Sequence, residues 1–291
     1  MIELKPQQPD KTGKALAEQR FQMLEDIAKE LAGEVVFPVC FDVAMNLRRL
    51  LDNPNTPLGK IERAVSADPV ISSKLLALAN SAAYASSTPV RDIKSAISRL
   101  GLRSVRTVSL NIAMRQMLLS AKLASLKEIT QQIWDHSLLT ASACHVLAQR
   151  MTRISPDEAF LAGMVHDIGG FYMLYRAAQY PELLERPESL KYLVVNWHES
   201  IGVSVLGALG MPESIVEASR DHDCVRPDPP AVPKTLGDLV YVGNILAGGY
   251  YEWLYHGIDE EMLKAYHLGP QYFELEDEIR AFAQETGAIF Q

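Results

Sequence analysis

The sequence predicts an all-α protein, and three observations carry that prediction. Apolar residues recur at three- and four-residue intervals along most of the 291-residue chain. No segment sustains the alternating apolar/polar pattern of a half-buried strand. Proline next to a capping residue, as in Thr56-Pro57, Asp68-Pro69 and Ser155-Pro156, restarts the helical pattern repeatedly. Many short helices so punctuated make a compact multi-helical fold rather than a simple bundle.

The polar stretch 1–14 precedes an amphipathic helix over Leu16–Leu31, in which Leu16, Phe21, Leu24, Ile27, Ala28 and Leu31 share a face and which Gly33 can end. Glu34–Pro38 reads as an extended entry to a helix through Val43, Leu47, Leu50 and Leu51. After the turn Asp52–Asn55, Thr56-Pro57 is expected to cap a helix holding Leu58, Ile61, Ala64 and Val65. Asp68-Pro69 starts the next, with Ile71, Leu75, Leu76 and Leu78. Small residues fill Asn80–Thr88, a stretch suited to close packing and a turn, or to recognition. Asp92 then caps a helix that Gly101 closes, and a longer one runs through Val105, Val108, Ile112 and Leu118.

Longer elements make up the second half. Ile129–Arg150 carries His136 and His145, nine positions apart and therefore on opposite sides of one helix. Ser155, Pro156 and Glu158 form a capping-box signature for a helix expected to continue from Glu158 to Leu174 through the adjacent pair His166-Asp167. A helix from about Ser189 to Leu209 bears His198. Glu213–Arg220 follows Gly210-Met211-Pro212 and runs into Asp221-His222-Asp223. Val225–Pro233 is a proline-rich loop, Leu236–Tyr255 a further helix, and two short helices near Met262 and Leu275 end the chain.

Composition narrows the function. Apolar residues at 48% and charged residues at 22% suit a soluble globular protein, and no apolar run reaches membrane-spanning length. A net charge of −8 argues against a general nucleic-acid binder. The basic residues Arg91, Lys94, Arg99, Arg103, Arg106 and Arg115 cluster locally and read as a solvated face, with an anionic partner as the alternative. Cys40, Cys144 and Cys224 lack the spacing of a disulfide framework or zinc knuckle, and a cytoplasmic location is expected.

His136, His166, Asp167, His198 and His222 stand on or at the ends of separate helices. Converging in a helical core, they would form a mono- or dinuclear metal site, and such a metal activates water and polarises a phosphoryl oxygen. Spacing alone leaves open that each is an ordinary core or surface group. His145, His256 and His267 are assigned to structure or surface. Tyr241, Tyr250, Tyr251, Trp253 and Tyr255, near Gly248-Gly249, are read as a core or dimer contact.

The motifs themselves are familiar. Trp134-Asp135-His136-Ser137, Gly163–Gly169 (GMVHDIG), His198-Glu199-x-x-Gly202 and Met211-Pro212 through His222 resemble the successive motifs of the HD superfamily of metal-dependent phosphohydrolases. Asp68–Tyr84 (DPVISSKLLALANSAAY) and Ile93–Gly101 (IKSAISRLG) resemble the N-terminal helical part of the HDOD (HD-related output domain) family. The resemblance covers about Phe37 to Asp223. It divides the chain into 1–33 (tail and leading helix), 34–233 (an HDOD domain, with an N-terminal helical part 34–125 and an HD-like part 126–233) and 234–291 (C-terminal helices).

What the resemblance implies is an HD-like all-α signalling module of bacterial type, an output or scaffold unit with a degenerate metal site that acts through contacts with signalling proteins and possible homodimerisation. The alternative is a metal-dependent phosphohydrolase acting on a nucleotide or other small phosphate ester, with Asp167 in the catalytic centre. The implied ligands are His136, His166, Asp167, His198 and His222, for one or two divalent ions (iron, manganese, zinc or magnesium) or none. Two departures weigh against catalysis. Asn244 stands where catalytic relatives place a last carboxylate ligand, and Asp238, six residues earlier, is off that face. The lysine and Gly-Tyr-Pro motif of the HD-GYP phosphodiesterases are replaced by Gly169-Gly170-Phe171-Tyr172.

Overall fold

The computed structural model describes residues 14–32, 42–84, 88–119, 121–224, 226, 228–248 and 268–290. The expected extended entry at Glu34–Pro38, Cys40, the aromatic residues Tyr250–Tyr255, the helix near Met262, His256 and His267 lie outside the described residues. Among those described there is no strand, and the fold is all-helical as predicted.

The elements are α1 (Lys14–Ala32), α2 (Asp42–Asp52), α3 (Leu58–Ser66), α4 (Pro69–Ala79), α5 (Ile93–Leu118), α6 (Lys127–Met151), α7 (Pro156–Val165), α8 (Ile168–Ala177), α9 (Pro181–Leu184), α10 (Pro187–Ala208), α11 (Glu213–Ala218), α12 (Leu236–Leu246), α13 (Pro270–Phe273) and α14 (Glu276–Phe290). Helix α5 is the spine of the first half, with α2, α3 and α4 packed against it. Helix α6 is the spine of the second, flanked by α7, α12 and α14, while α10 lies along α8. One contiguous apolar core runs through both halves, from Ile61 and Leu75 to Phe171 and Tyr241. The leading helix packs on α8, α9 and α10 and buries Met23 and Ile27. No described helix is long and apolar enough to cross a membrane.

Several local expectations hold for the reasons given. Asp68 accepts from the amides of Val70 and Ile71, and Asp92 accepts from Ser95. Gly101 takes φ +81°, a conformation that breaks the helical path of α5 and that side chains disfavour. At the start of the small-residue stretch, Asn80 clamps Val90 through both its side-chain amide and carbonyl, a packing role. The basic cluster is largely spent on internal contacts: Arg103 pairs with Glu158, Arg106 with Asp52, and Arg115 bonds Gln131 and lies over Trp134.

Other expectations need correction. Thr56 caps nothing: α3 starts at Leu58, with Pro57 at its N-cap and no side-chain cap bond. The capping box at Ser155 is half made, because Glu158 turns to Arg103 and Ser214 instead of reaching back. The final helix is no short element but the 15-residue α14, docked on α6 by His145 stacking on Phe282 and by a fork of Arg150 onto Glu278. Helix α12 ends at Leu246, short of the expected Tyr255.

The most consequential correction concerns Glu158–Leu174. It is not one helix: α7 stops at Val165, His166 and Asp167 form the joint, and α8 sets off from Ile168. Close approach of α8 to α10 explains the break. A Cβ on Gly169 would sit 1.9 Å from the carbonyl oxygen of His198 and 2.5 Å from the amide nitrogen of Gly202. Only glycine admits this crossing.

Gly169→Ala should therefore destabilise the protein by about 3 kcal/mol or more, since backbone on backbone cannot relax. Gly170→Ala is the control. Its Cβ would meet only side chains, at 3.6 Å and beyond, and replacing a helical glycine gains up to about 1 kcal/mol. Urea denaturation of both variants checks the contrast.

Candidate metal centre

Four elements deliver the five predicted residues to one point. Helix α6 supplies His136, the α7–α8 joint supplies His166 and Asp167, α10 supplies His198, and the turn after α11 supplies His222. All five are buried. The break in the middle helix matters here, because it turns the Asp167 carboxylate inward beside the ring of the residue before it. His145 points away as its spacing predicted, stacked against Phe282 with ring centroids 4.2 Å apart.

Asp167 occupies the middle. Its Oδ2 lies 3.3 Å from His166 Nε2 and 3.7 Å from His136 Nε2. Its Oδ1 lies 3.2 Å from His222 Nε2 and 3.5 Å from His198 Nε2. The two pairs of rings are themselves close, with His136 and His166 Nε2 atoms 3.3 Å apart and His198 and His222 Nε2 atoms also 3.3 Å apart. One carboxylate thus faces two pairs of imidazoles, one pair per oxygen.

The other ring nitrogens settle which atom faces the centre. His166 Nδ1 donates to Gly163 O at 2.7 Å, His198 Nδ1 to Val194 O at 2.9 Å and His222 Nδ1 to Ser219 O at 2.9 Å. A carbonyl can only accept, so each Nδ1 carries its proton and each Nε2 faces the centre, with a lone pair wherever the ring is neutral. Opposed lone pairs at 3.3 Å repel unless a cation or proton lies between them. Donors bonded at roughly 2.1 Å to one ion stand about 3.0–3.4 Å apart, which matches these separations. The residues fit a metal, and the carbonyl partners orient the rings for one.

Asp223 was missed as a member of the centre. The residues around His222 read equally as tuning groups or a solvated turn, and nothing in the spacing distinguished Asp223 from Asp221. The fold does: Asp223 Oδ2 lies 3.1 Å from His198 Nε2 and 3.7 Å from His222 Nε2. Asn244 also lines the centre, and its amide donates to Asp223 Oδ1 at 2.9 Å and to His222 O at 3.2 Å. Asp238 is elsewhere, in a capping box with Thr235 and paired to Arg226. Free space among His136, Asp167, Gly170, Val194, His198, Asp223 and Asn244, counted as positions open to the centre of a water molecule, is about 10 Å³. That holds one water or ion.

Charge in so dry a place is regulated by the neighbours. Burial opposes ionisation of Asp167, but the rings of His166, His222 and His198 overrule it and hold the carboxyl well below its usual range. Burial pushes His166 down to about 4 despite Asp167 beside it. His222 goes the other way: burial disfavours its charge, yet Asp223 and Asp167 raise it to about 10. His198 is also raised, burial being outweighed by Asp223 and Asp167. Burial notwithstanding, the facing rings of His222 and His198 lower Asp223 to about 2. Without metal, protons on the His198–His222 side stand where a cation would.

The site and fold together define an HD-type helical domain with a histidine–aspartate centre. The HDOD domain pattern matches residues 37–225, and the chain belongs to that family. It is 22% identical over 264 residues to an uncharacterised protein of Treponema pallidum (strain Nichols), covering 85% of this chain and 48% of that relative, so the chain spans about half the relative's length. Among solved structures, it superposes on a Shewanella amazonensis SB2B protein named for a conjectured metal-dependent phosphohydrolase activity, with TM-score 0.71, 22% identity and coverage of 94% of this chain and 100% of that one. It also matches an HDOD domain protein of unknown function from Geobacter sulfurreducens, with TM-score 0.58, 16% identity and coverage of 94% and 99%. A Marinobacter aquaeolei VT8 protein named for a conjectured role in signal transduction matches with TM-score 0.57, 19% identity and coverage of 95% and 66%. These likenesses show the fold.

Because His198 and His222 are raised, a cation entering their side must expel protons. Apparent affinity for a divalent ion should climb as pH rises from about 6 to about 9, with proton release on binding. Titration calorimetry in buffers of different ionisation enthalpy measures both; a flat pH response would contradict the charge assignment. By the same linkage, metal-free protein should lose the stability contributed by His222, present below its unfolded value near 6.5, as pH climbs through about 10.

Proposed function

We propose that this chain is a signalling output module in which the histidine–aspartate centre holds a divalent metal as part of the scaffold rather than as a turnover site. The observation carrying this reading is the 10 Å³ of free space at the centre. A phosphate ester needs a cavity of about 300 Å³ or more beside its metal. Gly170, at the wall of this space, offers no cation to a phosphate, and the cluster arginines are engaged elsewhere.

Residues at the centre also sit on helices with outward faces. On α10, which carries His198, Trp197 is 47% and Tyr192 61% exposed. Filling the centre would tie α6, α8, α10 and the His222 turn together through their ligands. A partner signalling protein, or a second copy of the chain, reading the outer surface of α10 would then sense a metal-dependent rigidity.

The second reading, a metal-dependent phosphohydrolase, is favoured by one observation: Asp167 presents one oxygen to each of two histidine pairs. That arrangement suits two ions, which when bound supply Lewis-acid polarisation of a phosphoryl oxygen. His136 and His166 would hold one ion, His198 and His222 the other, and Asp167 both. In that reading Asp223 and Asn244 would have to move aside to admit substrate.

Elemental analysis of untagged protein, run beside turnover assays with bis(p-nitrophenyl) phosphate, p-nitrophenyl phosphate and a cyclic dinucleotide, separates the two. The expected result is bound iron, manganese or zinc without turnover, and loss of the metal in His166→Ala. Turnover that vanishes in His166→Ala would put the phosphohydrolase first. Metal at trace level, even after reconstitution, would overturn both readings.

A further inference from the structure

The centre carries a carboxylate that neither the family's motif order nor its ligand positions led us to expect. Asn244 occupies the place of the last carboxylate, so the site looks one negative charge short. Yet the wall of the same small space contains Asp223, whose Oδ2 lies 3.1 Å from His198 Nε2 and 3.7 Å from His222 Nε2. The two residues are bonded to each other, Asn244 Nδ2 donating to Asp223 Oδ1 at 2.9 Å.

From this contact we infer that the lost carboxylate has been relocated: Asp223 is a metal ligand in its own right, and Asn244 is the residue that positions it. This rests on the metal-holding reading above and deepens it. Asp223 has two oxygens and uses them differently. Oδ1 takes the Asn244 amide, which leaves Oδ2 directed at the His198–His222 side of Asp167. A carboxylate is the stronger ligand for a hard cation, and a neutral amide the weaker. The exchange therefore restores the charge at the centre with a different residue.

Each substitution also makes sense of the other. Were residue 244 an aspartate, two carboxylates would face each other across 2.9 Å, and the carbonyl of His222, which now accepts from Asn244 at 3.2 Å, would face a third oxygen. An amide at 244 removes both repulsions and uses its two N–H groups on the two acceptors of one turn. Asp223 thus requires a donor at 244, and Asn244 supplies it from a side chain that is 1% exposed. The consequence is unequal halves. The His198–His222 side has two carboxylates, Asp167 and Asp223, while the His136–His166 side has Asp167 alone. The first ion enters on the Asp223 side.

The test is a charge swap read by metal content and affinity, with no assay of turnover. Wild type, D223N, N244D and D223N/N244D are purified, stripped, and titrated with Mn²⁺ and Zn²⁺ against a chelating indicator. Circular dichroism and thermal melts of the metal-free forms report folding. D223N should keep its fold and lose about 100-fold or more in affinity for the first ion, beyond the 10- to 100-fold typical of outer residues. The double variant, with the carboxylate back at 244, should bind at least about tenfold tighter than D223N, short of wild type because His222 O has lost its donor. Wild-type affinity in D223N would overturn the ligand role. No recovery in the double variant, while it remains folded, would overturn the pairing of 223 with 244. A wild-type protein that binds neither ion would overturn the metal-holding reading beneath it. Should D223N fail to fold, D223E carries the test: bound metal with altered affinity supports ligation, and unchanged affinity overturns it.

Discussion

The carboxylate of Asp167 is the constraint on which the rest of the second half depends. It is buried among four imidazoles whose Nε2 atoms lie between 3.2 and 3.7 Å from its oxygens. A bare charge at that depth would cost several kcal/mol, and inward lone pairs on neutral His166, His198 and His222 rings would add to it. Protons or cations must therefore be present among these rings. The structure shows both the demand, in the depressed Asp167 and elevated His222, and the carbonyl partners that prepare the rings to meet it.

Presenting that carboxylate requires helices to approach more closely than side chains normally permit. Gly169 against the His198 carbonyl brings α8 onto α10, and Gly163 against Ala141 and Cys144 brings α7 onto α6. The second contact places His166 beside His136, and the first places Asp167 beside His198. Both pairings are then held by a core in which Phe171, Met164 and Val165 are fully buried. The histidine–aspartate centre and the hydrophobic core are thus built by the same crossings. A change that loosens the core loosens the ligand set.

The N-terminal half and the closing helix frame this unit. Helix α14 lies on α6 and also touches α4 and α5, so α6 is held from the side opposite His136. Arg103 of α5 reaches Glu158 of α7, linking the two halves next to the start of the helix that leads to His166.

Much of this was legible in the residues alone. Helical periodicity with Asp-Pro and Ser-Pro starts determined an all-α chain, because capping and apolar spacing are local properties that short windows of sequence express. Four histidines and Asp167 could be named as candidate ligands because their motifs occur in order. What only the tertiary structure decided involves residues that meet across the fold. The break at His166-Asp167 arises from the backbone of α10, some thirty residues away, pressing on Gly169. Glu158 left its capping box for Arg103 on α5. Asp223 and Asp221 are indistinguishable in a turn until the positive φ of Asp221 and the bond from Asn244 send one carboxylate outward and the other to the rings. Local propensity cannot encode a partner that the chain reaches only by folding.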